Sequence, residues 1–249
     1  MDDWRLEPAK DMDLKGIDRY RSWNREGGLW ESGCRLAWWL MLRSFLKTWN
    51  RLKVIGQERV PSQGSMIVIA NHASHLDALL LTTIMPLSRR DEVYPIAAQD
   101  VFFEKLSIAA FAATFINAFP IKRNASSLRR LAELRQKLLD GPIALILFPE
   151  GTRTRTGSMG PFKTGIGMLV AGTSIPVIPC FIEGAGRAMS VSAKFVRPER
   201  ITIRVGQPMT FAELTDDRDG WHKTTQLLES AVRELGKEPA ASQPANASA

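Results

Sequence analysis

The sequence predicts a three-layer αβα fold with a largely parallel or mixed sheet, preceded by an amphipathic N-terminal helix. The main observation is an alternation of strand-like and helix-like apolar runs from residue 54 onward, which is typical of α/β domains. A second is the run IALILF at 143–148, which lacks polar alternation and so suits a strand covered by helices on both faces. With 249 residues, 45% of them apolar, the chain can bury a sizeable core.

The N-terminal helix is predicted from LWESGCRLAWWLMLRSFLKTWNRLK at 29–53, which follows a polar stretch at 1–27 without clear period. Its tryptophans recur on one side, against a side with cations, a composition that favours a membrane interface. The alternative is a helix docked on the protein's own core with a solvated basic side. Seven uncharged residues separate Arg35 from Arg43, whereas a spanning helix needs about 20. This segment is therefore not expected to cross a bilayer alone.

The remaining elements are predicted from their periodicity. We predict strands at 65–70, 93–98, 114–121, 143–148, 175–182 and 201–206. We predict helices at 77–85, near 101–113, at 126–141 and after residue 220. The expected organisation is a polar segment with a membrane-associating helix at 1–53, a folded domain at 54–236 and a disordered tail at 237–249.

Composition limits the function classes. Lys and Arg outnumber Asp and Glu by 33 to 26, giving a net charge of +7, which favours an anionic partner such as a phosphate group. The chain has two cysteines, too few for a disulfide framework, which indicates a reducing compartment. The acidic start MDDWRLEPAKDMD does not resemble a signal peptide. The segment GSMGPFKTG lacks the glycine before Lys163 that a P-loop requires, and no GxSxG motif occurs.

The segment NHASHLD at 71–77 follows the predicted strand at 65–70. If a turn follows the strand, Asp77 in the first helical turn can bend back to the His72 imidazole, fix its tautomer and make it a general base for a hydroxyl. The alternative is structural, because Ser74-x-x-Asp77 also reads as a helix-capping sequence. His75 lies three residues from His72, but no further ligand spacing supports a metal site.

Two other polar segments follow predicted strands. In FPEGTRTRTG, Gly151 allows close backbone approach to a ligand, and the arginines are suited to phosphate oxygens. We expect Glu150 to be buried there and to hold an arginine. In FPIKRN, Arg123 follows another strand end. For each segment the alternative is a surface turn with solvated basic residues. Carboxyl ends of parallel strands share one crevice, so the three segments are expected to meet.

Taken in order, NHASHLD, FPIKR, FPEGTR and IPVIPCFI resemble the four motifs of the lysophospholipid and glycerol-3-phosphate acyltransferase family, in particular its bacterial 1-acyl-glycerol-3-phosphate members. The resemblance covers about residues 54–210, so the domain at 54–236 would be an acyltransferase catalytic domain. It implies that His72 deprotonates the acceptor hydroxyl, that Asp77 orients it, and that no acyl-enzyme forms. It implies a substrate-binding pocket for the acceptor phosphate built from Arg123, Glu150, Gly151, Thr152, Arg153, Arg155 and Lys163. Pro176 and Pro179 would help line the acyl or acceptor site.

The implied reaction transfers a fatty acyl group from an acyl thioester to lysophosphatidate, giving phosphatidate. Alternatives are another acceptor, such as glycerol-3-phosphate, another lysophospholipid or a lyso-aminolipid, then a thioester hydrolase, then a lipid-binding protein without activity. No cofactor or metal is expected, because acyl-CoA or acyl-ACP acts as a co-substrate. Expected partners are the two substrates, an anionic membrane surface and, with an ACP donor, acyl carrier protein, but no nucleic acid. The expected location is the cytoplasmic face of the membrane, peripheral or monotopic.

Overall fold

The structure is a computed structural model that describes residues 11–22, 25, 27–98, 103–121, 127–154, 158–190 and 192–237. The strands are β1 (Lys53–Ile55), β2 (Met66–Ala70), β3 (Val93–Ala98), β4 (Phe119–Ile121), β5 (Ala144–Leu147), β6 (Val177–Glu183) and β7 (Thr202–Val205). The helices are α1 (Ile17–Arg21), α2 (Leu29–Trp49), α3 (Asp77–Thr83), α4 (Leu106–Phe115), α5 (Ser127–Asp140), α6 (Gly165–Val170), α7 (Ala185–Ala188) and α8 (Arg218–Lys237).

The described strands form one seven-stranded sheet in the order β1-β7-β6-β2-β5-β3-β4. Neighbouring strands are parallel except for β6 and β7, which are antiparallel. β2 lies near the centre, parallel to both β5 and β6, and is buried along its whole length. The carboxyl ends of β2, β5, β3 and β4 therefore meet at one edge of the sheet, as expected for this fold class.

Helices cover both faces of the sheet. On one face Val68 of β2 packs in a cluster with residues of α2 and α3. On the other face Ile67 and Ile69 pack in a cluster with residues of α5, α6 and α8. Alternate residues of one strand thus serve opposite cores, as the strand geometry requires, and the predicted three-layer class is confirmed.

Some element boundaries differ from the prediction. The predicted strand at 114–121 is a strand only from Phe119, because Phe115 still belongs to α4 and its ring contacts Trp38 with centroids 5.8 Å apart. Asn117 then turns the chain with φ of 57°. The predicted helix at 29–53 ends at Trp49, after which β1 forms the sheet edge. A short helix, α1, lies in the stretch that we predicted to be polar and irregular.

Helix α2 does not separate an apolar side from a basic side as predicted. Its buried side includes Arg35, whose Nη1 lies 2.7 Å from Asp91 Oδ1 and whose Nε donates to the carbonyl oxygen of Thr114 at 3.2 Å. The sequence placed Arg35 on the side with cations, but Arg35 is buried because a carboxylate distant in sequence pairs with its charge. The exposed side is largely apolar, with Trp30, Leu40, Met41 and Phe45 at 81%, 48%, 55% and 40% exposure. Among the described residues, no helix combines the length and apolarity needed to cross a membrane.

Candidate active site

The His72 loop leaves the sheet at a fixed point. β2 ends at Ala70, and the Asn71 side chain then pairs with Ile182 of β6, donating from Nδ2 to its carbonyl oxygen at 3.0 Å and accepting from its N–H at 2.7 Å. The backbone is thereby free to turn away from the sheet. His72 follows directly, at the carboxyl edge shared with β5.

Asp77 joins the turn to helix α3. Its Oδ2 lies 2.9 Å from His72 Nδ1 and accepts the backbone N–H groups of Ala73 at 2.7 Å and Ser74 at 2.8 Å. The capping and ring-orienting interpretations of Asp77 are therefore not exclusive, since one oxygen does both. The carboxylate is buried, at 1% exposure. Its Oδ1 has no hydrogen-bond partner among the described residues.

The His72 ring is held on two sides. Its plane stacks on Phe148, with centroids 4.1 Å apart and an interplanar angle of 14°, while Nδ1 faces Asp77. An ionised Asp77 requires the proton on Nδ1, so Nε2 is the nitrogen that can accept a proton. The side chain is 21% exposed and lines a cavity, so this nitrogen is accessible to a ligand.

Glu150 connects the His72 loop to the segment after β5. Its Oε1 accepts the backbone N–H of His72 at 2.7 Å and its Oε2 accepts that of Gly160 at 2.8 Å. We expected Glu150 to hold an arginine, but within the described chain its partners are backbone amides. Burial raises the pKa of the Glu150 carboxyl, although the two amide hydrogen bonds oppose this effect. Glu150 thus fixes the position of the His72 backbone.

Four of the predicted phosphate-pocket residues, Gly151, Thr152, Arg153 and Lys163, line the same cavity as His72. Gly151 has φ of +73°, and a Cβ there would lie 2.6 Å from Lys163 Nζ. Glycine therefore allows both the left-handed turn and the close approach of the ammonium group. The Arg153 guanidinium contacts the ring of His75, a residue to which the sequence analysis assigned no role. Arg123 and Arg155 lie outside the described residues.

These groups open on a cavity of about 380 Å³. One end is polar and carries His72, Thr152, Arg153 and Lys163. The remaining wall is apolar and is formed by Ile96, Ile121, Leu131, Leu134, Leu147, Phe148, Ile166 and Leu169. Such a cavity suits a ligand with an anionic head and a hydrocarbon chain.

Other predictions about the site were wrong or incomplete. Pro176 and Pro179 are absent from the cavity lining; Pro179 is buried within β6, and its carbonyl oxygen accepts the N–H of Gly206. The sequence analysis did not predict that Phe148 stacks on the His72 ring and lines the cavity. The available signal was its position at the end of the apolar run IALILF, directly before the polar residues of FPEGTR. Cys180 is buried, which raises the pKa of its thiol. The described residues contain no cluster of three metal-ligating side chains.

The structure is a three-layer α/β fold in which a hydrogen-bonded His72–Asp77 pair lies at the carboxyl ends of the central strands, and His72 lines a cavity. The comparison of sequences makes the class specific: the chain belongs to the acyltransferase family, whose model matches residues 51–183, slightly more than half of the chain.

Several relatives have names that specify their acceptor. A 1-acyl-sn-glycerol-3-phosphate acyltransferase alpha from Mus musculus is 30% identical over 168 residues, covering 67% of this chain and 58% of the relative. A 1-acyl-sn-glycerol-3-phosphate acyltransferase from Limnanthes douglasii is 28% identical over 169 residues, covering 67% of this chain and 57% of the relative. The chain thus spans less than three-fifths of the length of each of these relatives.

The fold has a counterpart among solved structures. The crystal structure of the 1-acyl-sn-glycerophosphate (LPA) acyltransferase PlsC from Thermotoga maritima superposes with a TM-score of 0.62, covering 83% of this chain and 81% of that chain. At 20% sequence identity, the similarity shows that the two chains share a fold.

Proposed function

We propose that this protein transfers a fatty acyl group from an acyl thioester to the free hydroxyl of lysophosphatidate, giving phosphatidate. The observation that carries the proposal is the pairing of His72 and Asp77, 2.9 Å apart, at the polar end of a cavity with an apolar wall. Lysophosphatidate has the matching chemistry, because it carries a phosphate, a hydroxyl and one acyl chain. The names of the relatives support the same acceptor.

The proposed reaction starts at His72 Nε2. This nitrogen takes the proton of the acceptor hydroxyl while the oxygen attacks the thioester carbonyl carbon. A C–O bond forms, the tetrahedral oxyanion collapses, the C–S bond breaks, and the imidazolium returns its proton to the leaving thiolate. Asp77 stabilises the imidazolium between the two transfers. The protein itself is not acylated.

Arg153 and Lys163 are proposed to bind the acceptor phosphate, because both line the polar end of the cavity that contains His72. Arg123 and Arg155 remain proposed ligands on sequence grounds. Glu150 is proposed to position the His72 backbone and the 158–160 segment rather than to contact substrate, since both of its oxygens accept backbone N–H groups. An acyl chain is proposed to lie along the apolar wall, which would remove its methylenes from water.

The test is a thiol-release assay with one labelled acyl-CoA or acyl-ACP and a panel of acceptors. We expect thiol release that depends on lysophosphatidate, with label recovered in phosphatidate, and loss of both with His72→Ala. Thiol release without an acceptor would indicate a hydrolase. A preference for another lyso-lipid would replace lysophosphatidate as the acceptor. Undiminished turnover by folded His72→Ala would refute the proposed base.

We also propose peripheral attachment to the cytoplasmic face of an anionic membrane. The exposed apolar side chains of α2 continue onto α4, where Leu106 and Phe111 are 54% and 42% exposed. Near the end of α2, Phe195 is 83% exposed and lies beside the exposed cations Lys194 and Arg197. Apolar side chains flanked by cations favour an anionic bilayer surface. The free thiols Cys34 and Cys180 agree with a reducing compartment.

Sedimentation with anionic liposomes tests this attachment. Leu40→Gln combined with Phe45→Gln is expected to lower liposome binding at low and high salt, because both side chains are exposed and their loss removes insertion rather than charge. The control is Leu42→Val, a buried change in the same helix, which should leave binding unchanged. Equal sedimentation of all three proteins would exclude α2 as the attachment surface.

A further inference from the structure

A second cavity, of about 300 Å³, lies at the edge of the sheet opposite to His72. Its wall includes Tyr94, near the amino end of β3, and Asn117, which precedes β4. His72 and Glu150 instead follow the carboxyl ends of β2 and β5. Because β2, β5, β3 and β4 are parallel, the two cavities lie at opposite edges of the sheet, and the second takes no part in the reaction proposed above.

Arg25 and Arg35 both line this cavity, and they differ in whether a carboxylate pairs with them. Arg35 is 7% exposed and pairs with Asp91, whose other oxygen already accepts Ser32 Oγ at 2.9 Å and Arg90 Nη2 at 3.1 Å. Among the described residues, Arg25 donates to the carbonyl oxygen of Tyr20 at 3.0 Å and to Asn117 Oδ1 at 2.7 Å, which are both neutral acceptors. No carboxylate of the described residues lies within ion-pair distance of Arg25. The Glu31 carboxylate, in the first turn of α2, is near the same wall, since its Oε2 would lie 3.2 Å from a Cβ at Gly27. The described wall thus holds the guanidinium groups of Arg25 and Arg35 and the carboxylate of Asp91, and Arg25 is the guanidinium without a direct ion pair to a described carboxylate.

Burial lowers the pKa of the Arg25 guanidinium, and the neighbouring charge of Arg35 lowers it further. Both effects disfavour the charged form, whereas Tyr94 and the Glu31 carboxylate raise the pKa of Arg25, and an arginine remains protonated at neutral pH. An anion bound between the two guanidinium groups would oppose both effects.

The start of helix α2 adds hydrogen-bond donors to the same wall. Gly27, Gly28 and Leu29 line the cavity, and α2 begins at Leu29 with no side-chain cap. The first amides of a helix have no intrahelical acceptor and carry partial positive charge. A helix of 21 residues thus presents its positive end to the cavity that contains Arg25.

We propose that this cavity binds an oxyanion of the phosphate class, either free phosphate or the phosphomonoester headgroup of a lipid. The guanidinium of Arg25 and the first amides of α2 are the binding groups, with Arg35 adding positive potential. A lipid headgroup could reach the cavity from a membrane surface. Leu29 and Trp30 beside the cavity are 96% and 81% exposed and belong to the apolar side of α2.

The test uses two substitutions at Gly28. Its backbone is extended, with φ of −69° and ψ of 172°, and a Cβ there would have no neighbour within 4 Å. Gly28→Ser and Gly28→Asp are therefore both compatible with the fold, and both add a preferred N-cap side chain. Only the aspartate puts a negative charge in the cavity. Gly28→Asp should fold as stably as Gly28→Ser yet lose phosphate affinity.

The first arm measures binding of inorganic phosphate by titration calorimetry at constant ionic strength. We expect Gly28→Asp and Arg25→Gln each to weaken binding by about tenfold or more, the loss typical of a charged hydrogen bond. Gly28→Ser should weaken binding less than Gly28→Asp, because its hydroxyl can accept one amide of α2 but adds no charge. Arg153→Gln, in the other cavity, should leave this Gly28-dependent binding intact.

The second arm compares vesicles containing phosphatidate with vesicles of equal surface charge containing phosphatidylglycerol, a phosphodiester. If the occupant is a headgroup, Gly28→Asp will reduce binding to the phosphatidate vesicles more than to the phosphodiester vesicles. Phosphate binding in the first arm without this preference assigns the site to free phosphate. The proposal is overturned if Gly28→Asp and Arg25→Gln match the wild type in both arms. It is also overturned if Arg153→Gln abolishes all phosphate binding.

Discussion

Replacement of Asp77 by asparagine separates the two functions that one oxygen combines. The amide oxygen can still accept the N–H groups of Ala73 and Ser74, as Asp77 Oδ2 does at 2.7 Å and 2.8 Å, so the turn into α3 can form. The negative charge beside the His72 ring is lost. The new NH₂ group takes the place of Oδ1, which has no partner among the described residues and lies in a buried side chain.

The expected magnitudes for stability and catalysis differ. A buried N–H group without an acceptor costs about 1–3 kcal/mol, or roughly 2–12 °C of Tm for a chain of this size. Most domains tolerate that loss, since their total stability is about 5–15 kcal/mol. For catalysis, loss of the carboxylate that orients and stabilises an imidazolium should lower kcat by about 10²–10⁴-fold, by comparison with the serine-protease triad. The acceptor KM should change little, because Asp77 does not line the cavity.

Ser74→Ala is the matched control for stability. Ser74 Oγ accepts the N–H of Leu76 at 3.1 Å and donates to the carbonyl oxygen of Met189 at 2.7 Å, so its loss also damages the buried turn but leaves the His72–Asp77 pair intact. Steady-state kinetics and thermal unfolding of both variants are the assays. If Asp77→Asn retains more than a tenth of the kcat of Ser74→Ala, Asp77 only caps the helix and the proposed mechanism is refuted.

Three further predictions concern the cavity and its supports. Gly151→Ala should raise the acceptor KM by about tenfold, because its Cβ would displace Lys163 Nζ, and should lower Tm by a few degrees from left-handed strain of about 1–2 kcal/mol; an unchanged acceptor KM would argue against Lys163 as a phosphate ligand. Leu131→Trp should fill part of the apolar wall and lower kcat/KM for long acyl thioesters relative to short ones by about tenfold or more, and an unchanged ratio of kcat/KM values would exclude this wall as the acyl site. Burial raises the folded-state pKa of Glu150 above the ordinary value of a glutamate, so the native state holds this proton more tightly than the unfolded chain does. The contribution of Glu150 to stability should therefore fall as pH rises from the ordinary pKa through the raised pKa. Thermal unfolding across this range should show the Tm of the wild type falling relative to that of Glu150→Gln, and a relative rise would contradict the direction of the shift.

The sequence was sufficient where the determining contacts are local. His72 and Asp77 are five residues apart, and a single turn between a strand and a helix brings them together, so their contact could be predicted without knowledge of the rest of the chain. The strand before them was equally clear, because a continuous apolar run fits a strand buried on both faces. The order of elements in the α/β domain follows from the same kind of local pattern.

The sequence was insufficient where partners are distant. In the sequence Arg35 is one of several cations of the helix, and its burial depends on a pairing with Asp91, 56 residues away. Glu150 has two arginines close by in sequence, yet it accepts the backbone N–H of His72, 78 residues away. Backbone amides carry no signal in the sequence, so a carboxylate that binds them cannot be distinguished from one that binds an arginine. The prediction for Pro179 failed for a related reason, since its motif lies in β6 while the cavity is built from other elements.

The Asn71 side chain fixes the start of the His72 loop to the edge of the sheet. Its amide donates to the carbonyl oxygen of Ile182 and accepts the N–H of Ile182. These two bonds replace the backbone pairing of the sheet at the point where the backbone of β2 has ended. An aspartate at this position would lack the donor, and a glutamine would be one methylene too long. The imidazole is therefore anchored one residue from a pair of hydrogen bonds that extends the buried sheet, and its fluctuations should follow those of the central strand rather than those of a surface loop.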